Sequence, residues 1–482
     1  MNTPIRRLGV VISVMFLSLL ISTTWVQFVS AGSLNAQPTN SRTLYKEYGA
    51  DRGPIKVDGQ AVAESKQVKD EYKYLRTYPG GALYAPVTGF YSITYGTTGL
   101  EATENSLLSG TADQLFYRRL SDLLTGREPS GATVELTLNA KAQKAAWNAL
   151  GNRKGAVVAL DPKTGAVLAM VSRPSYDPDR LASHDGAAVK KARTSLLEDS
   201  SDPLINRAIG GDLYAPGSTF KLVVAAAALE NGYSVDSQLD GPASLDLPQT
   251  TKNLSNDEPG NCGPGDKVSL ADALKISCNT AFAKLGMDLG ASTVRGEAEK
   301  FGFGQKLSVP LAVTPSSFPA ELNEPQLAQS SIGQYDVRVT PLQVAMISAA
   351  IANDGVLMRP NLISKVLTSD AKVVEQPSPE RLNQVFSSSV ANDLTSMMEL
   401  VVQSGTGTRA QISGVDVAGK TGTAQHPGQS PDAWFTSFAP ANDPEVAVAV
   451  VVENGGGLGD AAYGGTLAAP IAKQVMEAVM DR

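Results

Sequence analysis

The longest apolar stretch of the chain runs from Leu8 to about Val29 (LGVVISVMFLSLLISTTWVQFV) and contains no charged residue. Its length matches the roughly 20 residues a helix needs to cross the hydrocarbon of a bilayer. Arg6 and Arg7 stand just before it. Because positive residues stay on the cytoplasmic side, the pattern predicts a cytoplasmic tail at 1–7, an anchor at 8–29 and an extracytoplasmic remainder. A cleaved signal peptide is the alternative, since Val29-Ser30-Ala31 resembles a small-residue cleavage site. The apolar run, however, exceeds the core of roughly 7–15 residues usual for such peptides. From Ser30 to Arg52 the chain turns polar, as a juxtamembrane connector would be.

Short alternating stretches follow. Gly81-Ala-Leu-Tyr-Ala-Pro-Val and Tyr91-Ser-Ile-Thr-Tyr suggest strands, while Ala112, Leu115, Phe116 and Leu120 fall at helical spacing. Residues 30–150 read as a smaller mixed domain without catalytic motifs. Near Gly155 the pattern changes to two apolar runs around Asp161-Pro162-Lys163-Thr164-Gly165, a hairpin signal. Helical patterns fill the middle of the remainder at Lys221–Glu230, Leu270–Leu289 and Pro341–Asn353. Strand-like runs return at Val415–Gln425 and Glu445–Glu453. A hairpin, a helical middle and late strands predict an α+β domain over 151–482, with helices packed on an antiparallel sheet.

At 482 residues the chain is too long for one ordinary domain. Its 42% hydrophobic and 18% charged residues are those of a globular protein rather than a disordered or multi-span one. The net charge of −7, with no basic cluster, argues against a nucleic-acid partner. Two cysteines, Cys262 and Cys278, fall in the exported part. An even count in an oxidising compartment permits a disulfide and leaves two free thiols open.

Three short elements carry candidate chemistry. In Ala215-Pro-Gly-Ser-Thr-Phe-Lys221, Pro216 and Gly217 let a helix start at about Ser218, which places Ser218 and Lys221 one turn apart on one face. A desolvated lysine, or one beside another cation, loses its proton readily and activates a serine. Taken alone, Ser218 serves equally as a helix N-cap, and Ser369-Asp-Ala-Lys372 repeats the spacing in an apparent surface turn. Ser277-Cys278-Asn279 places a hydroxyl and a carboxamide two residues apart, although local side-chain to backbone bonds explain such a triplet in isolation. In Val417-Ala-Gly-Lys-Thr-Gly-Thr-Ala424, Gly419 and Gly422 clear side chains from a strand against which a peptide would lie. A second Lys-Thr-Gly, at 163–165, is accounted for by its hairpin turn.

In order and in context, these elements resemble the serine, serine–asparagine and lysine–threonine–glycine motifs shared by penicillin-binding proteins and serine β-lactamases. The anchor, the extra domain and the stretches Asp51-Arg-Gly-Pro-Ile55, Asn206-Arg-Ala208, Ser331-Ile-Gly-Gln334 and Thr340-Pro-Leu-Gln343 extend the likeness over nearly the whole chain. The resemblance is to class B penicillin-binding proteins of the actinobacterial penicillin-binding protein A type. It implies the penicillin-binding transpeptidase fold and a D,D-transpeptidase that cleaves between terminal D-alanines of a peptidoglycan stem peptide and passes the acyl group to an amine.

By motif position it implies Ser218 as nucleophile, Lys221 as base, and Ser277 and Asn279 as proton-transfer and positioning groups. Lys420, Thr421, Gly422 and Thr423 would bind the substrate carboxylate, with the backbone N–H groups of Ser218 and Thr423 as oxyanion hole. It implies no metal or cofactor, β-lactams as inhibitors, and a multi-span glycan polymerase as a membrane partner. A D,D-carboxypeptidase, a β-lactamase and a β-lactam-sensing scaffold are the competing readings. The anchor and the long region before Gly155 disfavour a β-lactamase. The middle of the second motif is Cys278, and a bond to Cys262 would tether the active-site loop. Closing about 15 residues stabilises by roughly 3 kcal/mol in the chain-entropy model.

Overall fold

The computed structural model describes residues 2–30, 48–126, 130–426, 428–457 and 463–481. The expected connector after Ser30 and the cleavage position at Ala31 lie largely outside these residues. The apolar N-terminal run forms a helix, Asn2–Thr24, continued by a wider turn of helix at Trp25–Val29. Its side chains are exposed, Phe16 at 65%. Thr3–Val29 is long and apolar enough to cross a membrane.

A five-stranded antiparallel sheet forms the centre of the larger unit. Its order is Ala418–His426, Gln429–Ala439, Val446–Val452, Gly155–Leu160, Val167–Arg173. Every residue of Val446–Val452 is buried, because helices cover both faces. Successive side chains point to opposite faces. Val448, Val450 and Val452 pack with helices Ala140–Leu150 and Gly464–Val479, whereas Ala447, Ala449 and Val451 join the cluster holding Phe220, Leu222 and Val344. Helix Lys221–Glu230 is buried from Lys221 to Leu229, as an element apolar on all sides must be.

A six-stranded mixed sheet lies towards the N-terminal side. Strands Ile363–Leu367 and Val373–Glu375, distant in sequence, extend it beyond Thr133–Leu136, Ile55–Val57, Gln60–Gln67 and Tyr74–Thr77. Beside it the buried carboxylate of Glu101 bridges Arg52 (2.5 Å) and Arg76 (2.6 Å). Burial opposes its ionisation, but the two guanidiniums outweigh that and hold its pKa below the usual value.

Some local expectations fail for identifiable reasons. Gly81–Val87 is not a strand but a short 3₁₀ turn, Gly81–Leu83, and a helix, Ala85–Thr88. Pro86 suits a first helical turn, where its missing N–H costs nothing. In the Tyr91–Tyr95 stretch only Tyr91–Ser92 is a strand, because the chain turns at once to pair with Gly96–Thr97. Phe116 and Leu120 are helical as expected, yet exposed. The helix expected over Leu270–Leu289 is two helices, Leu270–Lys275 and Asn279–Leu289, interrupted at Ser277, whose φ is +61°.

Candidate active site

Ser218 does not open an α-helix. It sits in a one-turn 3₁₀ helix, Gly217–Phe220, and the α-helix begins at Lys221. Side chains three apart eclipse in a 3₁₀ turn, so Ser218 and Lys221 still share a side. Gly217 has φ +53°, and a Cβ there would lie 2.5 Å from the Thr423 carbonyl oxygen. Only glycine lets this turn pack so closely on the edge strand. Gly217 N–H donates to Gly333 O at 3.0 Å, within the Ser331–Gln334 stretch. Just upstream, Tyr214 Oη and Arg207 Nε both donate to Glu453 Oε1, at 2.7 and 3.0 Å.

Behind Ser218 a polar chain runs through the protein. Lys221 Nζ donates to Ser277 O (2.7 Å), Ser277 Oγ (3.2 Å) and Asn279 Oδ1 (2.7 Å). Ser218 Oγ is not among its acceptors. Lys420 Nζ donates to Ser277 Oγ (3.0 Å) and to Thr421 O (2.9 Å). At Ser277, whose backbone is left-handed, one hydroxyl thus lies between the two lysine Nζ atoms. Both lysines are 0% exposed. Burial pushes Lys221 well below the ordinary lysine pKa, the Lys420 charge pushes it further, and Asp257 opposes both. Burial likewise pushes Lys420 down to about 7 against the opposing pull of Asp257. Phe282, with its ring centroid 5.6 Å from Lys221 Nζ, contributes to that apolar surrounding. A lysine so placed gives up its proton more readily than one in water.

Ser218 and Ser277 open onto a cavity of about 450 Å³ whose other walls include Thr421, Gly422, Thr423, Asp257, Arg409 and Tyr463. Asn279 is almost fully buried, and Lys221 and Lys420 lie beneath the cavity rather than in its wall. Among the described residues the strand Ala418–His426 pairs only with Gln429–Ala439, so it presents an edge. The glycines of this strand clear room for the protein itself. A Cβ at Gly419 would meet Phe435, and one at Gly422 would meet Thr219 and Trp434 at 2.9 Å.

Cys262 and Cys278 are joined by a disulfide with Cα atoms 6.0 Å apart. It ties the segment before Cys262 to the helix carrying Asn279. Within that segment Asn256 Oδ1 accepts from the backbone N–H of Asn279 (3.0 Å) and of Thr280 (3.1 Å), and Asp257 Oδ1 accepts from Asn279 Nδ2 (3.1 Å).

All the residues singled out by motif thus converge on one cavity and the polar chain behind it. Asn256, Asp257, Thr406, Arg409 and Tyr463 were not anticipated. They come from loops and, for Arg409, a short 3₁₀ helix, Thr408–Ala410, without a fixed-offset pattern, and the disulfide was the one available pointer to the first two. Both sequence decoys are surface turns. Ser369 and Lys372 lie in a turn with Asp370 paired to Arg118, and Lys163 pairs with Asp443 in the expected hairpin.

Comparison with known proteins places this arrangement among others. A family model described as the penicillin-binding protein transpeptidase domain matches residues 155–477. One described as the penicillin-binding protein A dimerisation domain matches 52–134. The chain is 44% identical over 490 residues to the peptidoglycan D,D-transpeptidase PbpA of Mycolicibacterium smegmatis, covering 100% of this chain and 99% of the relative. It is similar to the structure of penicillin-binding protein A from M. tuberculosis in a ceftriaxone acyl-enzyme complex, with TM-score 0.88, 42% identity, and coverage of 90% of this chain and 100% of that one. The penicillin G acyl-enzyme complex of the same protein gives TM-score 0.85 at 42% identity, covering 89% and 100%.

Proposed function

This chain belongs to the penicillin-binding protein transpeptidase family, and from that premise we propose the way its own residues carry out the reaction. It is a peptidoglycan D,D-transpeptidase acting in cell-wall synthesis through an acyl-enzyme, the same intermediate that β-lactams trap. The observation that carries the proposed roles is the convergence of two buried lysines on Ser277, directly behind Ser218.

Ser218 attacks the carbonyl between the two terminal D-alanines. Lys221, whose charged form is disfavoured by burial and by the neighbouring Lys420 charge, takes the Ser218 proton. The backbone N–H groups of Ser218 and Thr423, brought close by Gly217, hold the oxyanion. Ser277, which lines the cavity and accepts from both lysines, passes the proton to the departing D-alanine. Asn279 holds Lys221 in place. Thr421, Gly422 and Thr423 face the substrate carboxylate, and Lys420 supplies positive charge from below. An amine from a second stem peptide then attacks the ester, releases Ser218 and forms the cross-link.

The anchor reading, with a cytoplasmic N-terminus and the catalytic part outside, belongs to the same proposal and rests on Arg6, Arg7 and the exposed apolar helix. So does the division of the exported part into 30–150 and 151–482. A multi-span glycan polymerase working alongside is proposed from the family resemblance.

Full-length protein incubated with a fluorescent penicillin is expected to gain one long-lived adduct, mapped by peptide mass spectrometry to the fragment holding Ser218. Rapid release of hydrolysed drug, or an adduct elsewhere, would count against these roles.

A further inference from the structure

The disulfide-tethered segment brings into the site a carboxylate that none of the three motifs contains. Asn279 Nδ2 donates to Asp257 Oδ1 at 3.1 Å and to Ser255 O at 3.3 Å, while Asn279 Oδ1 accepts from Lys221 Nζ at 2.7 Å. A carboxylate and a carbonyl can only accept. Together they fix which way the Asn279 amide points, and so turn its oxygen towards Lys221. The order Asp257, Asn279, Lys221 repeats the logic of an orienting acid behind a catalytic base.

We propose that Asp257 is a positioning residue of this site, setting the amide of Asn279 towards Lys221 and supplying the negative charge that balances the lysine pair. Its placement is built in. Asn256, its neighbour, accepts from the N–H groups of Asn279 and Thr280 and donates to Pro242 O (3.1 Å) and Gly260 O (3.0 Å). The Cys262–Cys278 bond closes the same segment onto that helix. Charged and titratable groups around Asp257 are Glu258, Arg409 and Tyr463 in the cavity wall and Lys221 and Lys420 beneath. Of the two wall carboxylates, Asp257 is the one that acts on both lysines, raising the pKa of each against the effect of burial.

The sign of the expected change follows. Without the Asp257 charge both lysines lose their protons at lower pH. Lys221 then becomes a competent base at lower pH, and Lys420 ceases to be a cation at lower pH. Both limbs of the pH profile move in the acid direction, and solvent around the exposed Asp257 limits the displacement. The inference rests on the acyl-enzyme reading of Ser218. Labelling of the wild-type protein at Ser218 tests that reading, and the difference between variant and wild type tests this one.

The experiment measures the acylation rate constant of the full chain with fluorescent penicillin from pH 5 to 9, for wild type, Asp257→Asn and Asp257→Ala, with unfolding midpoints as controls. In both variants the ratio of the rate at pH 6 to that at pH 8.5 is expected to rise by about three- to tenfold. Asp257→Asn keeps an acceptor for Asn279 and carries the test if the alanine variant unfolds. Profiles of folded variants that superimpose on the wild type would overturn the proposal, since a merely structural aspartate would lower the rate without moving its pH dependence.

Discussion

Replacing Ser218 by alanine is expected to abolish covalent penicillin labelling and to lower cross-linking by about 10⁴-fold or more, because the variant lacks the hydroxyl that takes the acyl group. Stability should change by less than the roughly 1–3 kcal/mol that a broken buried hydrogen bond costs, since Ser218, although buried, lines the cavity and its Oγ is not one of the acceptors held by Lys221. The check is intact-mass measurement after exposure to penicillin, set beside thermal unfolding. In cells that depend on the variant, muropeptide dimers should fall. A folded variant that still gains the mass of one penicillin would show that the nucleophile is elsewhere.

Lys221→Met is expected to have the second largest effect. Methionine fills the same buried volume but can take no proton, so acylation should drop by about 10²- to 10⁴-fold, the range for losing a positioned general base. Asn279 Oδ1 and Ser277 O would lose a donor, at a cost of about 1–3 kcal/mol. Loss of a buried ammonium group offsets part of that. Stopped-flow acylation rates, with the unfolding midpoint as control, separate lost chemistry from lost fold. The residual activity should also lose the acid limb of its pH profile. A folded variant within tenfold of the wild type would assign the base to another group.

The contrast between what was legible and what was not follows the range of the interactions involved. Helix Lys221–Glu230 was readable because its apolar run and the preceding Pro216-Gly217 break are local signals. Ser277 was readable as a residue type at the right spacing, yet its left-handed backbone was not. That conformation goes with contacts to Lys221 and Lys420, and both lysines lie far away in sequence. Asp257 carried no motif, since its place depends on the cross-link at Cys278 and on Asn256 bonding the backbone of another helix. Gly419 shows the same limit. Its lack of a side chain was read as room for substrate, whereas the packed fold uses that room for Phe435. Gly81–Val87 was misread because a short run of small and apolar residues suits a strand or a tight turn equally, and Pro86 in the first turn of Ala85–Thr88 favours the helix.

The central claim is that the acyl group on Ser218 passes to an amine rather than to water. The most direct measurement gives the full-length protein, in membranes or detergent, uncross-linked glycan strands bearing pentapeptide stems, and follows D-alanine and muropeptides together by mass spectrometry. One D-alanine released for each new cross-linked dimer is the predicted result. Release of D-alanine with tetrapeptide monomers accumulating and no dimers would contradict it.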